Sequence, residues 1–146
     1  MSKPEEDPDR QPDYLLDEQV GFLLRRVSQR HLGIFAEHIP DLTATQFAAL
    51  AKLCEVGPVS QNELGRRTAM DAATIKGVID RLRKRGFVAT VRDVNDQRRL
   101  FVRATGSGEE TYRNCVEAAH RISRETLAPL DFKERLTFMR LIEKLV

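Results

Sequence analysis

The residues whose types and spacing suggest chemistry lie between Ser60 and Arg103. That stretch holds eleven basic residues: Arg66, Arg67, Lys76, Arg81, Arg83, Lys84, Arg85, Arg92, Arg98, Arg99 and Arg103. Five acids oppose them (Glu63, Asp71, Asp80, Asp93, Asp96), so eleven against five leaves +6. The rest of the sequence has 13 basic and 17 acidic residues, or −4, and the overall charge of +2 hides a basic module in a mildly acidic scaffold. Clustered Arg and Lys are the electrostatic footprint of nucleic-acid binding. A solvated face has the same composition, so the local elements must decide.

Within the module, Ile75, Val78, Ile79 and Leu82 recur at i, i+3, i+4 and i+7, which predicts a helix with one buried side. Its wheel turns Ala73, Gly77, Asp80 and Lys84 outward and puts Thr74, Lys76 and Arg81 on the flanks. Small residues at Ala72, Ala73 and Gly77 would let the backbone settle deep in a major groove. Gly77 costs about 1 kcal/mol against Ala in a helix interior, which is reasonable where close approach is its purpose. Close helix packing is the competing reading. Thr74 and Lys76 suit base edges, Thr to several bases or a thymine methyl and Lys to guanine acceptors. Ser60, Gln61 and Asn62 open a short helix, where free N–H groups suit a phosphate. Asp96 and Arg98 bracket one residue, so a strand-like spacing puts both on one face and the acid poses the guanidinium. An oriented Arg at a hairpin tip fits a narrow minor groove. Arg92 and Arg99 suit phosphates, and a surface ion pair is the bland alternative.

Other chemistries find no support. His31, His38 and His120 have no Ser or Cys at a telling spacing, and no Gly-rich phosphate loop is present, so no enzyme is expected. Cys54 and Cys115 stand 61 positions apart without a Cys/His cluster, so no metal or cofactor is expected. Both fall on apolar helical faces, which favours buried inert thiols over a redox switch. No apolar run approaches the ~18 residues of a membrane span. Residues 1–16 read as a flexible acidic tail without a signal peptide, which predicts a cytoplasmic protein.

The elements that must position these residues are mainly helical. A first helix spans about Asp17–Glu37, with a stripe of Val20, Leu24, Val27, His31, Ile34 and Phe35. Thr43 and Gln46 form a capping box for a second, with Phe47, Leu50, Ala51 and Cys54 inward. Ser60 and Glu63 form another box before a short helix to Arg67, and Asp71 caps the amphipathic helix to about Arg85. Phe87–Arg92 and Leu100–Ala104 then alternate in polarity around a charged turn, a β-hairpin placed as a wing. A long helix, about Glu109–Leu127, and a last one capped by Asp131 and Glu134 follow. The pattern is a helix-turn-helix with a wing at 43–104, flanked by helices at 17–42 and 105–146. The flanking stripes, including Phe132, Leu136, Met139, Ile142 and Leu145, exceed what so small a domain needs to cover, which predicts a homodimer. A monomeric core is the alternative.

In this order of elements the chain resembles the MarR family of bacterial transcription regulators over roughly Asp17–Val146. The specific pieces are Leu42-Thr-Ala-Thr-Gln-Phe47, Ser60-Gln-Asn-Glu-Leu64, Asp71-Ala-Ala-Thr-Ile-Lys-Gly77, Asp80-Arg-Leu82, Gly86-Phe-Val88, Asp93-Val-Asn-Asp-Gln-Arg-Arg99, and Thr105 with Gly108. Val94 stands where family members often place Pro, which should loosen the turn and leave its charges intact. The resemblance implies a dimer on double-stranded DNA with a pseudo-palindromic operator, often a repressor released by a small anionic ligand. It also implies that Arg98 is the minor-groove residue and Asp96 its support. Gln29-Arg30-His31, Phe35 and Thr43–Phe47 look like the subgroup governing aromatic-acid catabolism. Arg30, His31, Phe35 and Thr43 are therefore the expected site for an aromatic carboxylate or its thioester. A His satisfied within the core is the plainer reading of His31. A thiol redox sensor and a winged-helix protein-interaction module are the competing functions.

Overall fold

The computed structural model describes residues 13–146. The acidic tail expected at residues 1–16 lies, up to residue 12, outside the described residues. A 3₁₀ turn at Leu16–Glu18 precedes α1 (Val20–His38), α2 (Ala44–Val56), β1 (Val59–Ser60), α3 (Gln61–Arg67) and α4 (Ala72–Lys84). Strands β2 (Val88–Arg92) and β3 (Leu100–Ala104) follow, then α5 (Gly106–Thr126) and α6 (Phe132–Glu143). The fold is mainly α, with a small antiparallel sheet in the order β1-β3-β2.

Local capping explains most helix starts. Thr43 and Gln46 exchange side chain-to-backbone bonds at 3.2 Å in both directions, and Asp131 and Glu134 do so at α6 at 3.0 and 2.9 Å. At α3 the box is only half made. Ser60 Oγ accepts from the Glu63 N–H at 3.2 Å, but the Glu63 carboxylate turns to Arg66 and Arg67. Those two guanidinium groups, Arg66 first, hold Glu63 below the usual carboxylate range.

The core gathers beneath α4. Leu50, Leu64, Ile75, Ile79, Leu82 and Val102 are fully enclosed, so α2, α3, α4 and β3 share one apolar centre. On α2 the buried face is Gln46, Ala49, Leu50 and Leu53, with Phe47 and Cys54 half-buried at its edge. This rotation from the expected face follows from packing on two sides, against α4 and against α5. The sheet gains a third strand that alternation alone does not reveal: β1 pairs Val59 with Val102 and Ser60 with Phe101. Two residues carry no period, so only the partner strand defines them.

The junction between wing and α5 is the tightest contact. The helix starts at Gly106, earlier than its apolar stripe suggests, because Thr105 caps it: Oγ1 accepts from the Gly108 N–H at 3.1 Å and donates to the Gly86 carbonyl at 2.6 Å. A Cβ at Gly108 would stand 2.0 Å from the Phe87 carbonyl oxygen, so the α5 backbone approaches the wing as closely as glycine allows. Gly108→Ala should therefore destabilise by more than about 2 kcal/mol. Gly106→Ala, with open space around its Cβ, should be neutral or mildly stabilising. Urea unfolding of the two variants checks this; equal midpoints would refute the close approach.

Candidate nucleic-acid interface

The presentation of α4 begins with the turn that precedes it. Gly65 lies under that turn: a Cβ there would meet the Met70 carbonyl at 3.1 Å and Ile75 Cγ2 at 3.2 Å. Thr68 Oγ1 donates to the Leu64 carbonyl at 2.6 Å, the Met70 N–H to the Gly65 carbonyl at 2.9 Å, and Ala69 takes a left-handed φ of 54°. Asp71 Oδ1 then accepts from the Thr74 N–H at 2.7 Å. The Thr74 backbone bond, and after it the Thr74 hydroxyl, draw the Asp71 carboxyl below its ordinary value.

From that start α4 turns as its pattern requires. Ile75, Val78, Ile79 and Leu82 are buried, while Ala72, Ala73, Thr74, Lys76, Arg81 and Lys84 are exposed and Gly77 half-exposed. A Cβ at Gly77 would meet only the flexible end of Arg81, at 3.4 Å. Packing within the subunit therefore does not demand glycine at this position.

The basic residues divide by partner. Arg66 and Arg67 share Glu63, Arg83 Nη2 bonds Asp80 at 2.8 Å, and Arg92 Nη1 bonds the Gln97 carbonyl at 2.7 Å. Lys76, Arg81 and Lys84 have no such partner among the described residues, and all three project from the exposed side of α4. Of the first-turn set on α3, Ser60 uses its oxygen as the cap and keeps its O–H, Gln61 is half-exposed and Asn62 exposed. Because α3 has only seven residues, these side chains rather than a helix dipole would meet a phosphate.

The wing turn is closed by its own backbone. The Asp93 N–H donates to the Arg99 carbonyl and the Arg99 N–H to the Asp96 carbonyl, both at 2.9 Å. Asp93 Oδ1 accepts from the Asn95 N–H at 2.9 Å, which secures the turn around Val94 without proline. Asp96 acts first on the backbone: Oδ1 accepts from the Arg98 N–H at 3.0 Å and lies 3.9 Å from its Nε. The Arg98 side chain is 97% exposed, whereas the Arg99 guanidinium lies 5.8 Å over the Phe101 ring. Asp96 thus aims the residue, and the guanidinium itself extends into solvent.

The residues expected to receive an effector fall into linked groups. Arg30 donates to the Thr126 carbonyl at 2.7 Å and the Glu125 carbonyl at 2.8 Å, closing the C-terminus of α5. His31 Nδ1 lies 2.8 Å from Thr126 Oγ1. That hydroxyl donates to the Ile122 carbonyl at 2.8 Å, so Nδ1 carries the hydrogen, and in the neutral ring Nε2 is the acceptor. Phe35 is buried with its ring 6.0 Å from that of Phe47, and Thr43 caps α2. The structure joins Arg30 to His31 through Thr126, and Phe35 to Thr43 through α2. Sequence spacing could not reveal the Thr126 partnership, which crosses 95 positions.

Both thiols are half-buried. Burial raises Cys54, with Glu109 adding and Arg113 opposing, and burial followed by the Asp41 charge raises Cys115. Among the described residues no metal-binding cluster occurs and no helix is long and apolar enough to cross a membrane.

Residues 42–100 match the profile of the MarR family. The chain is 38% identical to the HTH-type transcriptional repressor NicR of Pseudomonas putida, over 91% of this chain and 85% of that protein. A crystal structure of a probable transcriptional regulator from Pseudomonas aeruginosa aligns with a TM-score of 0.88 at 47% identity, covering 90% of this chain and 100% of that one. Bordetella bronchiseptica BpsR, whose DNA binding is regulated by 6-hydroxynicotinic acid, aligns with a TM-score of 0.88 at 38% identity, covering 92% and 97% respectively.

Two outcomes follow for the reading face. Gly77→Ala should stabilise the fold by up to about 1 kcal/mol and, if this face of α4 enters a groove, weaken DNA binding, because the added methyl stands on that face; parallel melting and gel-shift titrations check the opposite signs. Arg98→Ala should weaken DNA binding more than Arg99→Ala, with Asp96→Ala between them. Equal small losses from all three would leave the wing a screened surface.

Proposed function

The chain belongs to the MarR family of winged-helix transcription regulators and is not an enzyme, and from that premise we propose that it is a homodimeric cytoplasmic repressor, released from a pseudo-palindromic operator by a small aromatic acid or its thioester. One observation carries the DNA-binding part: cations of the basic module without an acidic partner, Lys76, Arg81 and Lys84, sit on the exposed side of α4, and Arg98, 97% exposed and only loosely held by Asp96 at 3.9 Å, stands at the wing tip. Positive charge without an internal partner is available to phosphates and to groove edges.

The dimer rests on uncovered apolar surface. Val20 and Leu24 on α1, and Phe132, Leu136, Met139 and Leu145 on α6 or just beyond it, are exposed, and α6 buries no residue at all. Exposed apolar side chains gathered on one helix in this number mark an interface. A partner's copy of the same helices would cover it with two-fold symmetry.

The effector is argued from donors and acceptors. Arg30 uses two N–H groups on α5 carbonyls, and a guanidinium has five, so others remain for a carboxylate. His31 Nε2 accepts, which suits a ring hydroxyl, and the Phe35–Phe47 pair supplies an apolar wall near Thr43. A hydroxylated aromatic carboxylate satisfies all of these. A ligand that prefers the non-binding dimer geometry 100-fold shifts the equilibrium by about 2.7 kcal/mol, within the ordinary range of allosteric coupling.

The test is a gel-shift titration on DNA flanking the gene, across salt and with 6-hydroxynicotinate as probe. Neutralising roughly six to ten phosphates per dimer should lower affinity by ~10³–10⁵ between 50 and 200 mM salt. His31→Ala should abolish release by the probe while DNA affinity without it stays near wild type. A flat salt profile removes the operator from this reading; a wild-type response in His31→Ala removes the effector site.

A further inference from the structure

Arg85 closes α4 and is exposed, yet unlike Lys76, Arg81 and Lys84 its guanidinium has partners within the subunit. Its Nη1 donates to the Asp41 carbonyl, in the turn between α1 and α2, 44 positions away. At the same time its Cζ lies 4.8 Å above the centre of the Phe87 ring at the base of the wing. A guanidinium meets both demands together, because its edge donates in the plane while its face stacks on a ring. A lysine ammonium keeps the charge but lacks the plane.

Both ends of this contact are fixed. The Asp41 turn is seated on the core by Ile39 and Leu42, which are 3% and 5% exposed. Phe87 is held by its N–H to the Leu82 carbonyl and by its carbonyl to the Thr105 N–H, each at 3.0 Å, with Gly108 packed against the same oxygen. Arg85 therefore joins the turn that ends α1 to both DNA-reading elements.

We propose that Arg85 is a positioning residue and not a DNA ligand: it fixes the end of α4 and the base of the wing against the α1–α2 turn, and so sets the angle at which each subunit presents its reading face. This rests on the reading of the protein as a DNA-binding dimer, and its consequence is specific to geometry. In a dimer, the angle of each reading face sets the distance between half-sites that both subunits can occupy. Loss of the strut relaxes that distance without removing a phosphate contact.

The experiment uses the full chain and a duplex that the wild-type protein selects from a random pool, with companions in which the half-sites are moved one base pair closer or farther. Wild type should prefer the selected spacing. Arg85→Lys and Arg85→Ala should both reduce that preference by about five- to tenfold, with the slope of affinity against salt unchanged. Arg85 is exposed, so both variants should fold; Phe87→Leu, which removes the ring and keeps an apolar side chain, should reduce the preference in the same direction. If Arg85→Lys behaves as wild type while Arg85→Ala flattens the salt slope, Arg85 is a phosphate ligand and this inference falls alone. If wild type selects no duplex, the DNA-binding reading falls and takes this inference with it.

Discussion

The apolar side of α4 is the constraint on which the surface depends. Ile75, Val78, Ile79 and Leu82 are at most 2% exposed, and they lock the helix against α2 and α3 at one rotation. Successive residues on a helix stand about 100° apart, so a one-residue rotation would drive Lys76 and Arg83 into the core in one direction, or Arg81 in the other. An unpaired buried charge is far too costly for that state to be populated. The exposed set of Ala73, Thr74, Lys76, Gly77 and Arg81 is therefore a consequence of core packing. Nothing on the outer face has to specify its own orientation.

The electrostatics have the same division of labour. Glu63 and Asp80 absorb Arg66, Arg67 and Arg83, so part of the basic module serves the fold. These are exposed pairs worth little individually, but they decide which cations stay uncommitted. The residual positive surface is narrower than the sequence charge of the module suggests. It follows the α4 face and the Arg98 tip, where a groove and its backbone could be met together.

Much of this was legible because it is local. Caps at Thr43, Ser60, Asp71 and Asp131, and the spacing of the α4 stripe, lie within a few residues of one another, and helix physics makes such patterns nearly self-sufficient. What escaped is set by distant partners. The strand β1 exists because Val59 finds Val102, and α5 starts early because Thr105 bonds Gly86. Glu63 leaves its box because two guanidinium groups compete for it, and Arg30 closes a helix end 95 positions away. The candidate site splits the same way: the exposure of its proposed DNA-contact residues is legible on one helix and one hairpin, whereas the hydrogen bonding of His31 depends on a hydroxyl from another helix.

That long-range fastening gives α1 two unlike halves. Its C-terminal half is tied to the end of α5 by Arg30, by His31 through Thr126, and by His38, whose Nε2 lies 2.8 Å from Glu125 Oε1. Its N-terminal half leaves Val20, Leu23, Leu24 and Val27 uncovered. Under the proposed dimer, the uncovered half belongs to the partner subunit and the fastened half to the end of its own α5. In such a dimer a shift between subunits would enter at one half of α1 and be felt at the other. The residues proposed to receive an effector lie at the fastened end, where altering a few hydrogen bonds changes how one half is held relative to the other. In that dimer a ligand there would need no contact with α4, because the helix it touches would run from the interface to the turn that Arg85 grips.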